Sequence, residues 1–276
     1  MKRVSIQRTG AIPFLLKLIF GFLMVIPLVY CVSLSLMTPG EIFSYPPRLF
    51  PGSLNTDNYR ELLQTIPLFR FLANSVFLAT ISTASKVLLD SLAAYAFAFF
   101  EFKGKKVLFF VILFAYMVPT ESIIVGNFST ITKMGLLDTM AAILLPNLAS
   151  AIGVFVMRQR FISIPKELRE VAVIDGCGSM RFFWHIALPV AQSSAASLAM
   201  IEFVGSWNMY LWPLLVTNST ENRTIQVGIS MLNFSDSQSY GLCAAGIVAS
   251  LVPPIVLFLL CNKKIVEGLT AGAVKG

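Results

Sequence analysis

Residue types that carry catalysis are sparse in this chain of 276 residues. Its one histidine, His185, has no neighbouring cysteine or second histidine, so neither a metal site nor a histidine-based triad is indicated. The four cysteines lack the paired short spacing of zinc and redox motifs and are expected to be small buried residues. The G-x-x-x-x-G-K-[ST] phosphate loop is absent, so the chain is not expected to hydrolyse ATP. We therefore predict that it is not an enzyme and binds no metal or cofactor itself.

Four charged side chains lie in otherwise apolar segments, where an isolated charge is costly. They are Lys86, Asp90, Glu121 and Glu202. Lys86 and Asp90 are four residues apart and are expected to pair on one face of a helix. Glu121 and Glu202 have no evident partner nearby in sequence, so they could face a transport pathway, a gate or water.

Aromatic and amide side chains cluster shortly after residue 205. Trp207, Asn208, Tyr210 and Trp212 combine ring faces with hydrogen-bonding groups, which suits stacking on sugar rings and holding their hydroxyls. Trp and Tyr also concentrate at the edges of a bilayer, so the same residues are typical of an interfacial belt. The sequence leaves both interpretations open.

The composition is that of a membrane protein. Hydrophobic residues make up 56% of the chain and charged residues 13%, against roughly 25% charged residues in soluble domains. Apolar windows of about 20 residues, long enough to cross a ~30 Å hydrocarbon core, recur along the chain. We predict a single all-α polytopic domain over residues 1–276, with about six transmembrane helices. The predicted spans lie near 14–36, 70–100, 107–126, 139–157, 186–204 and 241–261.

The net charge of +7 is better explained by membrane orientation than by nucleic-acid binding. Most of the 21 Lys and Arg residues fall on one side of the predicted membrane, before residue 18, at 103–106, at 158–181 and after residue 262. The positive-inside rule makes that side cytoplasmic and puts both termini there. The first apolar window is longer than that of a typical signal peptide and no cleavage site follows, so we expect it to remain as a helix.

A long polar connection, residues 158–185, follows the fourth predicted span, and we call it the polar loop. Pro165 suits the first turn of a helix, and Glu167 and Glu170 suit the positive N-terminal end of that helix. Asp175 and Gly176 are expected to end it. The polar loop is therefore predicted to begin with a short helix over about ten residues.

This first helix is expected to be amphipathic, because Leu168, Val171 and Ala172 recur at spacings of three and four. A second helical stretch is predicted from about Ser179 towards Pro189, where the fifth span begins. The result is a helix-turn-helix on the membrane surface, which can anchor in lipid or dock on a partner protein. Its mixed acidic and basic side chains favour a protein groove over anionic lipid.

The same segment resembles the EAA motif of permeases of binding-protein-dependent ABC importers. That motif has Glu, Ala, Ala, a glycine six positions after the Glu, and then Ile-x-Leu-Pro. The matching residues are Glu170, Val171, Ala172, Gly176, Ile186, Leu188 and Pro189. Val171 departs from the pattern by two extra methyl groups, which bears on how tightly the loop docks. The resemblance implies a type I ABC importer permease fold in a bacterial inner membrane, with these residues, Glu167 and Asp175 coupling the chain to an ATPase.

Other segments resemble the carbohydrate-uptake subfamily of these permeases, and in particular the second permease of maltose-type and glycerol-3-phosphate-type systems. They are Asn74-Ser75, Ala94-Tyr95-Ala96-Phe97, Met117-Val118-Pro119, Gly135-Leu136-Leu137-Asp138, Trp207-Asn208, Leu211-Trp212-Pro213 and the tail from Gly268 to Gly276. The resemblance implies transport of a sugar or oligosaccharide delivered by an extracellular solute-binding protein. It also implies a second homologous permease and two ATPase subunits, which bind ATP and Mg, as partners within the lipid membrane.

Two alternatives remain. A glycerol-3-phosphate or glycerophosphodiester substrate would want a cationic pathway, whereas Lys86 is the only clear basic residue within the predicted spans, so a neutral sugar is favoured. An ion-coupled secondary transporter would also be polytopic, but the EAA-like polar loop argues against that class.

Overall fold

The computed structural model describes residues 11–232 and 240–271, with side chains for residues 13–232 and 240–261. All regular secondary structure in these ranges is helical, as predicted. The chain divides into two compact units. The first comprises Met1–Pro67 and Ile229–Leu251, and the second comprises Leu68–Gly228 and Val252–Gly276.

The first unit holds three complete helices and parts of two others. They are α1 (Ala11–Ser35), α2 (Pro39–Ile42) and α3 (Asp57–Thr65), with parts of α14 (Ile225–Leu232) and α15 (Tyr240–Ala271). The buried side-chain amide of Asn58 donates to the carbonyl oxygens of Ser35 (3.0 Å) and Met37 (2.9 Å), which ties α3 to the end of α1. The apolar window of α1 is not buried by the rest of the chain, as suits a helix that meets lipid or another subunit.

The second unit is built around one long central helix. Its helices are α4 (Leu68–Phe99), α5 (Lys105–Tyr116), α6 (Thr120–Lys133), α7 (Met140–Leu144), α8 (Ala151–Ile162), α9 (Lys166–Ile174), α10 (Ser179–Phe182), α11 (Leu188–Val190), α12 (Gln192–Trp207) and α13 (Leu211–Val216). Two 3₁₀ turns (Leu145–Asn147 and Thr220–Asn222) and a π-helical stretch (Phe183–Ala187) complete it. Helix α4 packs mainly against α8 and α12.

Three of the six predicted spans are continuous helices. Pro13–Ser35, Leu68–Phe99 and Tyr240–Cys261 are each long and apolar enough to cross a membrane, and they agree with the predicted bounds to within two residues. The other three predicted spans are each broken into two helices, which hydropathy did not predict. The fold is therefore an all-α polytopic membrane fold with six apolar segments, three of them bent.

The breaks are sharp. The bend is 97° between α5 and α6, 45° between Met140–Asn147 and α8, and 78° between Ser179–Val190 and α12. The straight part of the fifth span is α12. It begins at Gln192, six residues after the predicted start of the span at residue 186.

A proline lies in each break or within two residues of it. Pro119 immediately precedes α6 and disfavours helical geometry at the residue before it. Pro146 lies in the 3₁₀ turn between α7 and α8. Pro189 lacks a backbone donor and crowds the carbonyl four residues earlier, and the π-helical stretch Phe183–Ala187 relieves that crowding just before it. A hydropathy average is insensitive to these local effects.

The main core of the second unit surrounds Tyr95, which is 2% exposed. Its ring centroid lies 5.0 Å from that of Phe99, 6.1 Å from that of Phe161 and 5.2 Å from that of Phe183. These rings come from α4, α8 and the segment that follows α10. The core therefore joins the central helix directly to the polar loop.

Candidate functional site

The first helix of the polar loop forms where it was predicted. Helix α9 (Lys166–Ile174) follows Pro165 and ends at Asp175. Gly176 has a φ of +71°, a left-handed conformation that glycine adopts without the steric cost of a Cβ. The next amide, that of Cys177, donates back to the carbonyl of Ala172 (2.8 Å). The glycine of the EAA-like motif thus reverses the chain between two helices.

One side of α9 is fixed to the end of α4. The Arg169 guanidinium donates to the carbonyl oxygen of Phe99, the last residue of α4 (2.7 Å), and lies 5.3 Å from the Phe99 ring centroid. A cation at the negative end of a helix is favourable. Ala172 is buried on the same side. Sequence reasoning missed Arg169, because its partner is a backbone carbonyl far away in the chain.

The second half of the polar loop is fixed to α4 as well. The Tyr95 hydroxyl donates to the carbonyl oxygen of Ser179 at the start of α10 (2.8 Å). Phe182 and Phe183 are buried against the same core. The polar loop is therefore a rigid attachment at one end of α4.

The rest of α9 is largely exposed and includes three apolar side chains at spacings of three. Leu168 is 41% exposed, Val171 56% and Ile174 83%. Leu168, Val171 and Ala172 lie on neighbouring parts of the helix but differ in exposure, because Ala172 is buried against the core while the other two are exposed. The extra methyl groups of Val171 therefore lie outside the buried core. We call Leu168, Val171 and Ile174 the exposed ridge.

The remaining predicted residues of the polar loop divide by exposure. Glu167, Glu170 and Asp175 are exposed around the exposed ridge. Ile186 and Leu188 are half-buried against the aromatic core, and Pro189 is exposed at the bend before α12.

In the described part of the chain, His185 and the cysteines are not placed in a catalytic or metal-binding group. His185 is exposed, and its Nδ1 is 3.1 Å from the carbonyl oxygen of Arg181. Within the described residues none of the four cysteines forms a disulfide, and all four are half-buried rather than fully buried. Among the described residues, no group of three His, Cys, Asp or Glu side chains is placed to hold a metal ion.

The charged residues of the membrane segments are paired differently from the prediction. Lys86 does not pair with Asp90 but with Glu202 of α12, at 2.8 Å between Nζ and Oε2. Both side chains are buried. The expectation that Glu202 has no partner is also wrong, because it is buried in this pair. Lys86 and Glu202 are 116 positions apart in the sequence, and the packing of α12 on α4 brings them together.

Asp90 binds α8 instead of Lys86. Its Oδ1 accepts the backbone N–H of Ser150 at the start of α8 (2.9 Å), so Asp90 satisfies an otherwise unpaired donor where the fourth span breaks. A Cβ at Gly153 would overlap the Asp90 carboxylate. The glycine is therefore required for α8 to approach α4 this closely.

These contacts belong to a row of polar residues on α4, which we call the polar seam: Ser82, Lys86 and Asp90. The Ser82 hydroxyl donates to the backbone carbonyl of Asn147 (3.0 Å) and accepts from the Ser206 hydroxyl (3.2 Å). The three seam residues are spaced by four, so they lie on one helix face. This spacing of polar residues could have indicated, from the sequence, that one face of α4 contacts other parts of the chain. In the structure these are the broken fourth and fifth spans.

The aromatic residues near the end of α12 separate into buried and exposed sets. Trp207 is 3% exposed and stacks on Phe203 with ring centroids 6.0 Å apart. Trp212 is 8% exposed, and its indole N–H donates to the Ala142 carbonyl (3.1 Å). Asn208 and Tyr210 are exposed. Trp207 therefore serves the core in this structure and is not open to a ligand.

Glu121 and Tyr210 do come together. Both line a cavity of about 290 Å³ between α6, the 3₁₀ turn Leu145–Asn147 and α13. Asn127 and Asn147 line it as well, whereas Glu202, Trp207 and Asn208 do not. The structure thus unites two of the five predicted pathway residues at one site.

Comparison with known proteins decides the class of this membrane protein. Residues 86–263 match the family described as "Binding-protein-dependent transport system inner membrane component". This chain belongs to that family. The matched region includes Lys86 and Asp90 of the polar seam, the polar loop and the cavity.

Similar permeases span nearly the whole chain. The sn-glycerol-3-phosphate transport system permease protein UgpE of Rhizobium meliloti (strain 1021) is 35% identical, over 92% of this chain and 94% of its own length. The arabinooligosaccharides transport system permease protein AraQ of Halalkalibacterium halodurans is 32% identical, over 93% of each chain.

A solved structure shares the permease fold. A chain of a bacterial ABC transporter involved in the import of the acidic polysaccharide alginate superposes with a TM-score of 0.81 and 22% identity, over 95% of this chain and 98% of that one. The permease is accordingly an inner-membrane component of a binding-protein-dependent transport system, with the fold predicted from its sequence.

Proposed function

We propose that this permease and a second homologous permease form the membrane channel of an ATP-driven carbohydrate importer. Two ATPase subunits, which bind ATP and Mg, would supply the energy from the cytoplasmic side. An extracellular solute-binding protein would deliver the substrate to the other side. Both termini and the polar loop would face the cytoplasm, in accord with the distribution of Lys and Arg.

The observation that carries the proposal is the two-sided character of α9. Its inner side is held by Ala172 and by the Arg169 bond to the end of α4, while its outer side presents the exposed ridge. An amphipathic helix with a fixed base and apolar anchors at spacings of three is suited to a groove in a partner protein. The groove would belong to an ATPase subunit.

Charge supports a protein partner for this surface. Glu167, Glu170 and Asp175 surround the exposed ridge. Acidic groups at the rim of an apolar contact select a basic partner and speed association. With the exposed Lys166 on the same helix, the charge is mixed, which suits a protein groove better than anionic lipid.

Movement of the ATPase would be transmitted from the polar loop to α4 through two hydrogen bonds. Arg169 connects α9 to Phe99, and Tyr95 connects α10 to α4 through the Ser179 carbonyl. A shift of the polar loop would therefore move α4 as a rigid helix. The polar seam on α4 would carry that movement to α8 and α12.

Relatives support the carbohydrate class of substrate. The permeases similar to this chain include one named for arabinooligosaccharides and one named for sn-glycerol 3-phosphate. A neutral sugar or oligosaccharide is the first proposal, and glycerol 3-phosphate or a glycerophosphodiester is the alternative.

A substitution on the exposed ridge tests the proposal. Ile174→Asp puts a charge at its most exposed position and leaves the core untouched. Complexes purified from the native membrane would be assayed for ATPase activity stimulated by the solute-binding protein. We expect the ATPase subunits to be lost from the Ile174→Asp complex, or its stimulated activity to fall about tenfold or more.

Ile174→Leu is the matched control and should behave as wild type, because it keeps an apolar side chain of the same size. If Ile174→Asp copurifies with a fully stimulated ATPase, the docking role of α9 is refuted. If the wild-type permease purifies alone and its transport follows an ion gradient, the importer itself is refuted in favour of a secondary transporter.

A further inference from the structure

We infer that the cavity between α6 and α13 is a sugar-binding subsite on the transport pathway, and that it selects an uncharged ring over a phosphate-bearing substrate. The inference rests on the proposed importer function and adds a site and a selectivity to it. The polar and aromatic residues that line the cavity are Thr120, Glu121, Asn127, Asn147, Tyr210 and Trp212.

The size and lining suit one sugar ring. The volume of about 290 Å³ is near the lower end of the roughly 300–1,000 Å³ typical of small-molecule sites. The Glu121 carboxylate accepts hydrogen bonds only, while the Asn127 amide both donates and accepts. Neighbouring sugar hydroxyls, each both donor and acceptor, are complementary to such a pair. Tyr210 adds a ring face and a hydroxyl, and Ile124 and Met209 add apolar wall.

The wall of the cavity is fixed before any ligand binds. The Asn147 amide nitrogen donates to the Ile143 carbonyl (2.9 Å), and the Asn147 backbone carbonyl accepts from Ser82 of the polar seam (3.0 Å). Trp212 is held by its bond to Ala142 (3.1 Å). A preformed wall lowers the entropy lost on binding. The bond to Ser82 also links the cavity to α4, which we propose moves with ATP hydrolysis.

The charge of the cavity sets the ligand class. Glu121 is its one ionisable carboxylate, and no Lys or Arg is among the described residues that line it. Among the residues that the structure describes, no ion pair involves Glu121. Lys86, the basic residue of the membrane segments, is paired with Glu202 and does not line the cavity. A phosphate would meet an uncompensated carboxylate, whereas a neutral sugar would meet a hydrogen-bond acceptor.

The test uses the complete importer, with its partner permease, ATPases and solute-binding protein, reconstituted in liposomes. The probes are radiolabelled maltotriose, arabinotriose and sn-glycerol 3-phosphate. The quantity measured is substrate moved per ATP hydrolysed, because this ratio separates passage through the membrane from ATPase coupling. Glu121→Gln and Asn127→Ala alter the subsite, and Glu221→Gln makes the same charge change at an exposed residue outside it.

We expect the wild type to move a neutral trisaccharide in preference to sn-glycerol 3-phosphate. Each subsite variant should lower the ratio for that sugar about tenfold, the effect of one lost hydrogen bond to a charged or amide group, while stimulated ATPase activity persists. Glu221→Gln should match wild type. Asn127→Ala remains informative if Glu121→Gln fails to assemble.

Three results would overturn the inference. Subsite variants that keep the wild-type ratio would exclude a role in passage. A wild-type preference for sn-glycerol 3-phosphate would exclude the neutral ligand class while leaving the importer intact. A wild-type complex without ATPase stimulation by its solute-binding protein would refute the importer function itself, and the subsite with it.

Discussion

The side-chain nitrogen of Lys86 lies 2.8 Å from a carboxylate oxygen of Glu202, and both side chains are buried within the membrane segments. The pair joins α4, whose end holds the polar loop, to α12, which begins at Gln192, shortly after that loop. Breaking such a pair leaves an uncompensated charge in a medium that solvates it poorly. The stability of the α4–α12 contact therefore depends on both residues together.

The first prediction concerns this pair. Lys86→Met and Glu202→Met, made singly, should each destabilise the permease by about 3–5 kcal/mol. The double variant should recover much of the loss, because it removes both charges. Thermal unfolding of the purified complex checks this, with the exposed Lys133→Met as control. Single variants that unfold at the wild-type temperature would contradict the prediction.

The second prediction concerns the contact of α8 with α4. Gly153→Ala should destabilise the permease by about 1–3 kcal/mol, because the added Cβ overlaps the Asp90 carboxylate. Gly126→Ala is a matched control, since Gly126 also lies inside a helix but has open space around its Cα. That control should be neutral or stabilising by up to about 1 kcal/mol. Equal melting temperatures for the two variants would show that α8 does not approach α4 this closely.

The third prediction concerns the turn after α9. Gly176→Ala should strain the turn by roughly 1–2 kcal/mol, because its φ of +71° is unfavourable for any residue with a Cβ. Gly178→Ala is the control two residues away, where the backbone is extended and a Cβ meets no atom within 4 Å. Hydrogen exchange of the Cys177 amide should increase in the first variant only. Stimulated ATPase activity should fall in parallel, and a normal activity would separate the turn from coupling.

The fourth prediction concerns the connection between α6 and α7. Asp138 accepts hydrogen bonds from the backbone N–H groups of Ser219 and Asn218 (3.0 Å each), and these bonds hold the pKa of its carboxyl below the usual value of 3.8. A lowered folded-state pKa stabilises the protein above the unfolded pKa, and that contribution is lost as pH falls through the folded value.

Asp138→Asn should therefore increase hydrogen exchange at the Asn218 and Ser219 amides at pH 6. The variant and the wild type should converge only as the pH falls through the lowered folded-state pKa of Asp138, where the wild-type carboxyl itself becomes protonated. Asparagine tolerates the positive φ of 59° at this position, so the change isolates the charge. A difference that is independent of pH would point to geometry and not to the carboxylate.

Local signals made the polar loop predictable from sequence. Pro165 and Gly176 mark the ends of α9 by their own backbone chemistry, and no distant contact was needed to find them. The partner of Lys86 could not be found in the same way. Asp90 is four residues away on the same helix, but the packing of α12 and the amide of Ser150 assign the two α4 charges to different partners.

Hydropathy likewise found six apolar segments but not their bends. A window average treats Pro119 or Pro189 as one residue among about twenty, whereas the helices break at the first and two residues after the second. The cavity residues Glu121 and Tyr210 were predicted as candidates, but hydropathy did not predict the 97° bend between α5 and α6, the helix that carries Glu121 into the cavity wall. Asn127 and Asn147 gave no signal of their own.

The central claim, that the exposed ridge of α9 docks on an ATPase, is tested most directly by site-specific photo-crosslinking at Val171 in the native membrane. We expect a crosslink to an ATP-binding cassette subunit, and none from a probe at the exposed Met134 in the connection between α6 and α7. A probe at Val171 that captures lipid alone would contradict the account.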